Sequence, residues 1–462
     1  MKPEQANFHT DLVAALSHDD EAQLSTQLAD ARAPDIAESF ELLSDQDRSR
    51  VLFALPSHTA AEVVVMLDEA VRGDVVDDLD TESLMEIVSE LPPDDAADML
   101  GELSTDEVAE ILGHMTDKQS ERIEGLLEYD EETAGGIMTP DVVAVPASKT
   151  VADAVEFVRE ATQEEDLHEI YIVDDDKRLV GTVPLRRLVT SSASTRLHDI
   201  CESDPVTVYA TDDQETVVQV IRKYDVMEAA VVDDNDRLIG RITHDDLLDV
   251  AEEEAAEDLF RMAGTDPAEF ETSSTFHAAR VRLTWLLPCL VGMLLTATVL
   301  LVSEARFDAA VFAALASFAP MIGATGGNTG IQISTVIVRG FATGDIGASK
   351  LTRAFLREGR IAITMAPVCG LVAWALASLG LESLEAVGLS AESLADPGRV
   401  AIAIGAAMTV AVLVAGLLGI ILPFTFRKLG VDPAIASGPL VTTTNDVVSV
   451  SIYMSLAMLI AG

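Results

Sequence analysis

Cysteine is nearly absent. Cys201, Cys289 and Cys369 stand far apart with no CxxC spacing, which rules out a disulfide framework and a thiolate zinc site and leaves three small hydrophobes. Positive charge is also scarce, with 30 Lys and Arg against 78 Asp and Glu. A nucleic-acid partner requires a basic footprint, so that class is excluded. The chain has no GxxxxGK[ST] loop, no HExxH, no GxSxG and no Ser/His/Asp ordering, so nothing supports an enzyme. The start, residues 1–20, has no basic stretch followed by an apolar one, and no cleaved signal is expected. The first targeting element is then the first membrane span.

The acid that is present is unevenly placed. Residues 1–271 carry 68 Asp and Glu against 19 Lys and Arg, whereas residues 272–462 carry 10 against 11. Acidity therefore stops where long apolar runs begin. Carboxylates spread over every surface resemble the solvation strategy of salt-adapted proteins, so an individual acid gains meaning only from its position.

A twelve-residue repeat dominates the first 130 or so residues: Leu43, Leu55, Leu67, Leu79, Leu91, Leu103, Met115 and Leu127, most followed by Ser, Thr, Asp or Pro. Twelve residues fit one short helix and a turn, and Ser104 with Glu107 has capping-box spacing. Stacked units of this kind form a helical superhelix, residues 1–135, with scaffolding as its default role.

From Met138 the pattern becomes extended. The segment from Ile170 to Val183 is matched 59 residues later by Ala229 to Ile242, each reading as a β-hairpin with an acidic turn after a helix. The preceding segments at Met138 and Cys201 repeat as well. Residues 136–250 therefore resemble a tandem pair of CBS domains. That resemblance implies either ATP or another adenine nucleotide in the cleft or a ligand-sensitive dimerisation module. A strongly acidic helical stretch follows between Asp245 and Gly264, where Asp246, Asp249 and Glu253 recur at three- and four-residue spacing, and an acidic connecting helix is expected over 251–272. A solvated linker face explains it, and so does an oxygen-rich site for hard divalent ions.

Residues 273–462 hold five apolar stretches, 283–302, 309–338, 361–381, 400–426 and 433–460, and the first four contain no charged residue. Each is long enough to cross ~30 Å of hydrocarbon. Lys and Arg cluster before the first stretch, after the second and after the fourth, whereas the segment after the third is acidic. Positive-inside bias then puts the amino-terminal domains in the cytoplasm and the carboxyl terminus outside. In the fifth stretch Asp446 is the sole charged residue. A carboxylate at that depth costs roughly 2.5–3.5 kcal/mol on insertion scales and reads as a functional site, here on the path of a cation. Two further features point the same way. The run PMIGATGGNTGIQ, Pro320 to Gln332, suggests a weakened, broken second span with Asn328 offering a neutral oxygen. Gly438-Pro439 suggests a break that frees carbonyls beside Thr442, Thr443 and Asn445. Asp432, ahead of Pro433, suits a helix cap.

On these residues the chain resembles the MgtE-type magnesium channels, through residues 320–332, through ASGPLVTT and Asp446 to Tyr453, and through the order of its parts. The expected architecture is a multidomain membrane protein: an α-helical superhelical amino-terminal domain, α/β tandem CBS domains, a connecting "plug" helix, and an all-α five-span transmembrane pore domain. The resemblance implies a homodimer in the lipid bilayer of the cell membrane, with a pore between spans 2 and 5. Asp446 would bind hydrated Mg²⁺, with Asn328, Thr442, Gly438 and Asp432 contributing. It also implies closure by cytosolic Mg²⁺ at Asp94, Asp98, Asp246, Asp249, Glu254, Glu257 and Asp258, with Glu215 and Asp225 as weaker matches. Ser449 departs from the glycine found in many relatives. The competing readings are transport of Mn²⁺ or Co²⁺, and a membrane-anchored, nucleotide-sensing CBS regulator that would need neither Asp446 nor Asn328.

Overall fold

The computed structural model describes residues 3–18, 21–101, 103–161, 167–266, 275–343, 346, 350–386, 396–436 and 438–461. The chain divides into two compact units, Met1–Glu252 and Glu253–Gly462.

In the first unit the twelve-residue repeat becomes a run of short helices, among them Asp45–Ala54, Ser57–Val65, Glu69–Asp78, Thr81–Glu90, Pro93–Gly101, Thr105–Leu112 and Asp117–Leu126. The repeating leucines fall between helices. Leu55, Leu79 and Leu91 close the preceding helix by donating their backbone N–H to the carbonyl three residues back, while their side chains lie in or against the shared core. Polar residues begin the next helix: Ser44, Asp80 and Thr116 each accept a backbone N–H, and Ser104 with Glu107 forms a complete capping box. Each such cap stabilises its helix by about 1 kcal/mol.

The CBS pair follows the same logic twice. Strand Ala144–Pro146 runs parallel to Glu169–Val173, which pairs antiparallel with Leu179–Pro184; Thr207–Tyr209, Ala229–Val232 and Leu238–Ile242 repeat the arrangement. Both hairpin turns place a non-glycine residue in the left-handed region, Lys177 at φ 62° and Asp236 at φ 61°. Asp174 and Asp233 hold these turns by accepting two backbone N–H groups each at 2.8–2.9 Å. The acidic turns are thus structural, as Asx side chains in turns commonly are. The copies join through them, since Leu179 donates to Asp236 O and Leu238 to Lys177 O at 3.1 Å. A buried pair, Arg241 Nη1 to Glu228 Oε2 at 2.7 Å, lies beside the second hairpin.

In the second unit, five helices among the described residues are long and apolar enough to cross a membrane: Thr275–Glu304, Ala309–Ala342, Leu351–Leu381 within Leu351–Ala386, Pro397–Lys428 and Pro439–Ala461, spans 1 to 5. Span 4 is the most enclosed and packs against spans 2, 3 and 5; span 1 lies against span 5. Small residues allow the approach. A Cβ on Gly419 would meet the Gly330 carbonyl oxygen at 2.6 Å, and one on Gly405 the Gly370 oxygen at 2.8 Å, the close-backbone packing expected where lipid offers no hydrophobic gain. Buried Tyr453 donates its hydroxyl to Leu315 O at 2.8 Å, tying span 5 to span 2.

Candidate functional site

Two sequence expectations need correcting. Span 2 is not broken: the helix continues from Ala309 to Ala342 through Pro320 and every glycine. The glycines serve packing instead. Gly323, Gly326, Gly327 and Gly330 form a face on which span 5 rests through Thr442, Asn445, Asp446, Ser449 and their neighbours. The Gly438 and Pro439 carbonyls also differ from expectation. A break does stand there, between the short 3₁₀ turn Pro433–Ala436 and the helix Pro439–Ala461. The carbonyls are nevertheless engaged: Gly438 O accepts both the N–H and the hydroxyl of Thr442 at 3.2 Å, and Pro439 O accepts the Thr443 hydroxyl at 2.8 Å.

Asp446 lies where a Cβ on Gly323 would come within 3.2 Å of its Oδ1, and one on Gly327 within 3.6 Å. It is half-buried, and among the described residues no Lys or Arg pairs with it. Thr442, one turn earlier on the same face, touches the Gly327 side. Asn328 follows the glycine pair and is exposed. The result is a carboxylate, a hydroxyl and peptide groups around one partly open position, a donor set of oxygens suited to a hard, hydrated cation.

The neighbours of Asp446 face other ways. Thr443 packs on Gly292 of span 1. Asn445 is fully buried against Gly330, with neither amide atom hydrogen-bonded among the described residues; about 100° around the helix from Asp446, it packs on the same glycine face of span 2 but away from the open position.

Asp432 does more than cap. Its Oδ1 accepts the Ala434 N–H at 2.7 Å while Oδ2 accepts Arg261 Nη1 at 2.6 Å. Arg261 also pairs with Glu257. The end of the connecting helix, His244–Ala263, is thereby held against the start of span 5, and the fit is close: a Cβ on Gly438 would strike the Met262 carbonyl. Gly264, at φ 78°, turns the chain where a side chain would meet Pro439 and Trp285. Sequence reasoning passed over Arg261, although it is the one Lys or Arg between His244 and Ala263. Beside it, burial raises the Asp258 carboxyl to about 6, with Asp432 and Glu254 adding to the effect.

The remaining acids are dispersed. Asp94 and Asp98 lie on the helix Pro93–Gly101. Glu215 lies in the first turn of the helix Gln214–Tyr224 and accepts from Gln219 Nε2 at 3.2 Å, while Asp225 ends that helix at φ 55°. Asp246 caps the connecting helix, accepting the Thr243 hydroxyl at 2.5 Å; burial raises its pKa, as do Asp245 and Asp249 to a smaller degree. Asp249 is exposed, and Glu254 and Glu257 are half-buried. No three His, Cys, Asp or Glu side chains among the described residues converge on a metal position. Residues 267–274, which hold the end of the expected connecting segment and the first two residues of the expected pore domain, lie outside the described residues.

Comparison with known proteins gives this arrangement a context. Residues 319–456 match the family described as divalent cation transporter, residues 31–132 the MgtE intracellular N domain, and residues 134–194 and 197–253 the CBS domain. The magnesium transporter MgtE of Thermus thermophilus is 36% identical over 343 residues, 73% of this chain and 72% of that protein. The transporter of the same name from Enterococcus faecalis is 37% identical over 346 residues, 74% and 72% of the two chains. The crystal structure of the cytosolic domain of the Mg²⁺ channel MgtE in complex with ATP shares 33% identity at a TM-score of 0.50, covering 52% of this chain and 99% of that one. The chain belongs to the MgtE family of magnesium transporters.

Proposed function

We propose that this chain carries Mg²⁺ across the cell membrane as a homodimer, along a path lined by spans 2 and 5. The observation that carries the reading is Asp446: the sole charged residue of span 5, half-buried and set against the glycine face of span 2. Mg²⁺ gives up its waters reluctantly, so one carboxylate with neutral oxygens suits passage of a largely hydrated ion. Thr442 and exposed Asn328 contribute those oxygens, and Gly438 and Asp432 form the start of span 5. A second copy of the chain brings a second Asp446 to the path.

Cytosolic Mg²⁺ closes the path in this reading. Asp94, Asp98, Asp246, Asp249, Glu254, Glu257 and Asp258, with Glu215 and Asp225 in support, repel one another on mobile parts until divalent ions bridge them, a two-state element biased by the transported ion. The CBS pair takes ATP or another adenine nucleotide, supported by its likeness to a relative crystallised with ATP. The positive-inside pattern supports a cytoplasmic position for the amino-terminal and CBS domains and an outside position for the carboxyl terminus. Domain limits of 1–135, 136–250, 251–272 and 273–462 follow the changes in sequence pattern.

The test is Mg²⁺ uptake into liposomes holding the purified protein. Wild type is expected to admit Mg²⁺ and Asp446→Ala to admit none while still expressing and dimerising. Uptake by the alanine variant at the wild-type rate removes Asp446 from the path. Uptake of Mn²⁺ or Co²⁺ with exclusion of Mg²⁺ changes the cargo.

A further inference from the structure

The first ten residues of span 3, Leu351–Arg360, precede its uncharged run 361–381. Arg353, Arg357 and Arg360 recur at four- and three-residue spacing and share one helical face. All three are exposed. Together with Thr352, Leu356 and Ile361 they line an open groove of about 620 Å³. Leu356 is 51% exposed and Ile361 36% exposed, so the groove is apolar as well as cationic.

The charges in this groove are poorly matched from within. Arg357 lies 3.4 Å from Glu358, whose own side chain is buried away from the groove. Arg353 and Arg360 have no carboxylate partner among the described residues. At 1.5 Å per residue the three guanidinium groups rise over roughly 10 Å from the apolar boundary, a span comparable to the polar headgroup layer on one side of a bilayer, several ångströms deep. Guanidinium forks suit phosphate oxygens bidentately, while Leu356 and Ile361 offer contact to the glycerol and upper acyl region. We propose that this groove binds an anionic phospholipid, its phosphate held by Arg353, Arg357 and Arg360 and its chains directed along span 3. An acidic protein surface would satisfy the arginines but gain nothing from the exposed Leu356 and Ile361. The assignment needs only that span 3 crosses a membrane, and it stands or falls separately from the Mg²⁺ reading.

Native mass spectrometry of the full-length chain with equal phosphatidylglycerol and phosphatidylcholine tests the site. Wild type is expected to retain phosphatidylglycerol in preference, and the triple variant Arg353→Gln/Arg357→Gln/Arg360→Gln to lose at least about tenfold of that preference, given roughly 1 kcal/mol per basic residue near a lipid surface. The charge-matched variant Arg339→Gln/Arg427→Gln/Lys428→Gln is expected to keep it. If the first triple variant does not fold, Arg360→Gln alone reads the same difference, with an expected drop of about fivefold. Equal retention of the two lipids, an unchanged ratio in the groove variants, or equal loss in the charge-matched control overturns the proposal. Displacement of phosphatidylglycerol by millimolar inorganic phosphate overturns it in favour of a free-anion site. Absence of lipid retention, combined with protection of the three arginines from phenylglyoxal in lipid-free detergent, overturns it in favour of an acidic face of this same chain.

Discussion

The two units use carboxylates in opposite ways. In Met1–Glu252 acids are abundant and the structure spends many of them on backbone: Asp80 and Glu107 cap helices, Asp174 and Asp233 hold turns, and Asp246 closes the start of the connecting helix. Within the five apolar stretches the sole acid is Asp446, and among the described residues no cap or turn engages it. An Asp is therefore uninformative where water and free N–H groups are plentiful and highly informative where neither is available.

The largest effect expected along this contrast is at Asp446. Replacing it by Asn keeps shape and removes charge, and Mg²⁺ flux into liposomes should fall by at least about tenfold, a loss of about 1.4 kcal/mol or more; flux at the wild-type rate would erase the distinction between the units. Next comes Asn328→Leu, expected to cut flux several-fold with little change in thermal midpoint, because the side chain is exposed rather than packed. A collapse of stability with normal flux would make Asn328 a packing residue.

On the acidic side, neutralising Asp94, Asp98, Asp246, Asp249, Glu254 and Glu257 together should abolish Mg²⁺-dependent protection of residues 251–264 from protease, which wild type is expected to gain at roughly 10⁻⁴–10⁻³ M ion. Equal protection in both proteins would reduce these acids to solvation. A smaller effect concerns Glu169, whose carboxyl is pushed up to about 7 by burial, with Glu228 and Glu202 adding to it and a hydrogen bond with Thr182 opposing it. Its pKa is raised on folding, so its contribution to stability is fully present below about 4.5 and is lost as pH rises through about 7. Thermal midpoints of wild type and Glu169→Gln should accordingly diverge between pH 5 and 8, wild type falling relative to the variant; parallel curves would contradict it. The smallest expected effect is Asp80→Ala, about 1 kcal/mol for one lost cap with flux unchanged, measured by denaturant unfolding.

Local rules made much of this legible in advance. A twelve-residue period, two copies of a hairpin 59 residues apart and five long apolar runs are short-range patterns, and each element appears where its pattern lies. Asp446 and Thr442 share a face because four residues make roughly one turn. What escaped prediction depends on partners distant in sequence. Glycine content alone does not distinguish a broken helix from a closely packed one, and the choice at Gly323 to Gly330 rests on span 5 arriving with Thr442, Asn445, Asp446 and Ser449. The pairing of Arg261 with Asp432 spans 171 residues. The fate of the Gly438 and Pro439 carbonyls depended on hydroxyls one turn later, a local contact the pattern contained and the reading overlooked.

Glycines along span 2 put peptide bonds, not side chains, beside Asp446. Peptide dipoles do not titrate, and those of a helix do not swing between rotamers. The polarity that span 2 presents to that carboxylate is accordingly built into the geometry of a neighbouring helix, a fixed field that changes neither with the proton concentration outside nor with side-chain motion in span 2.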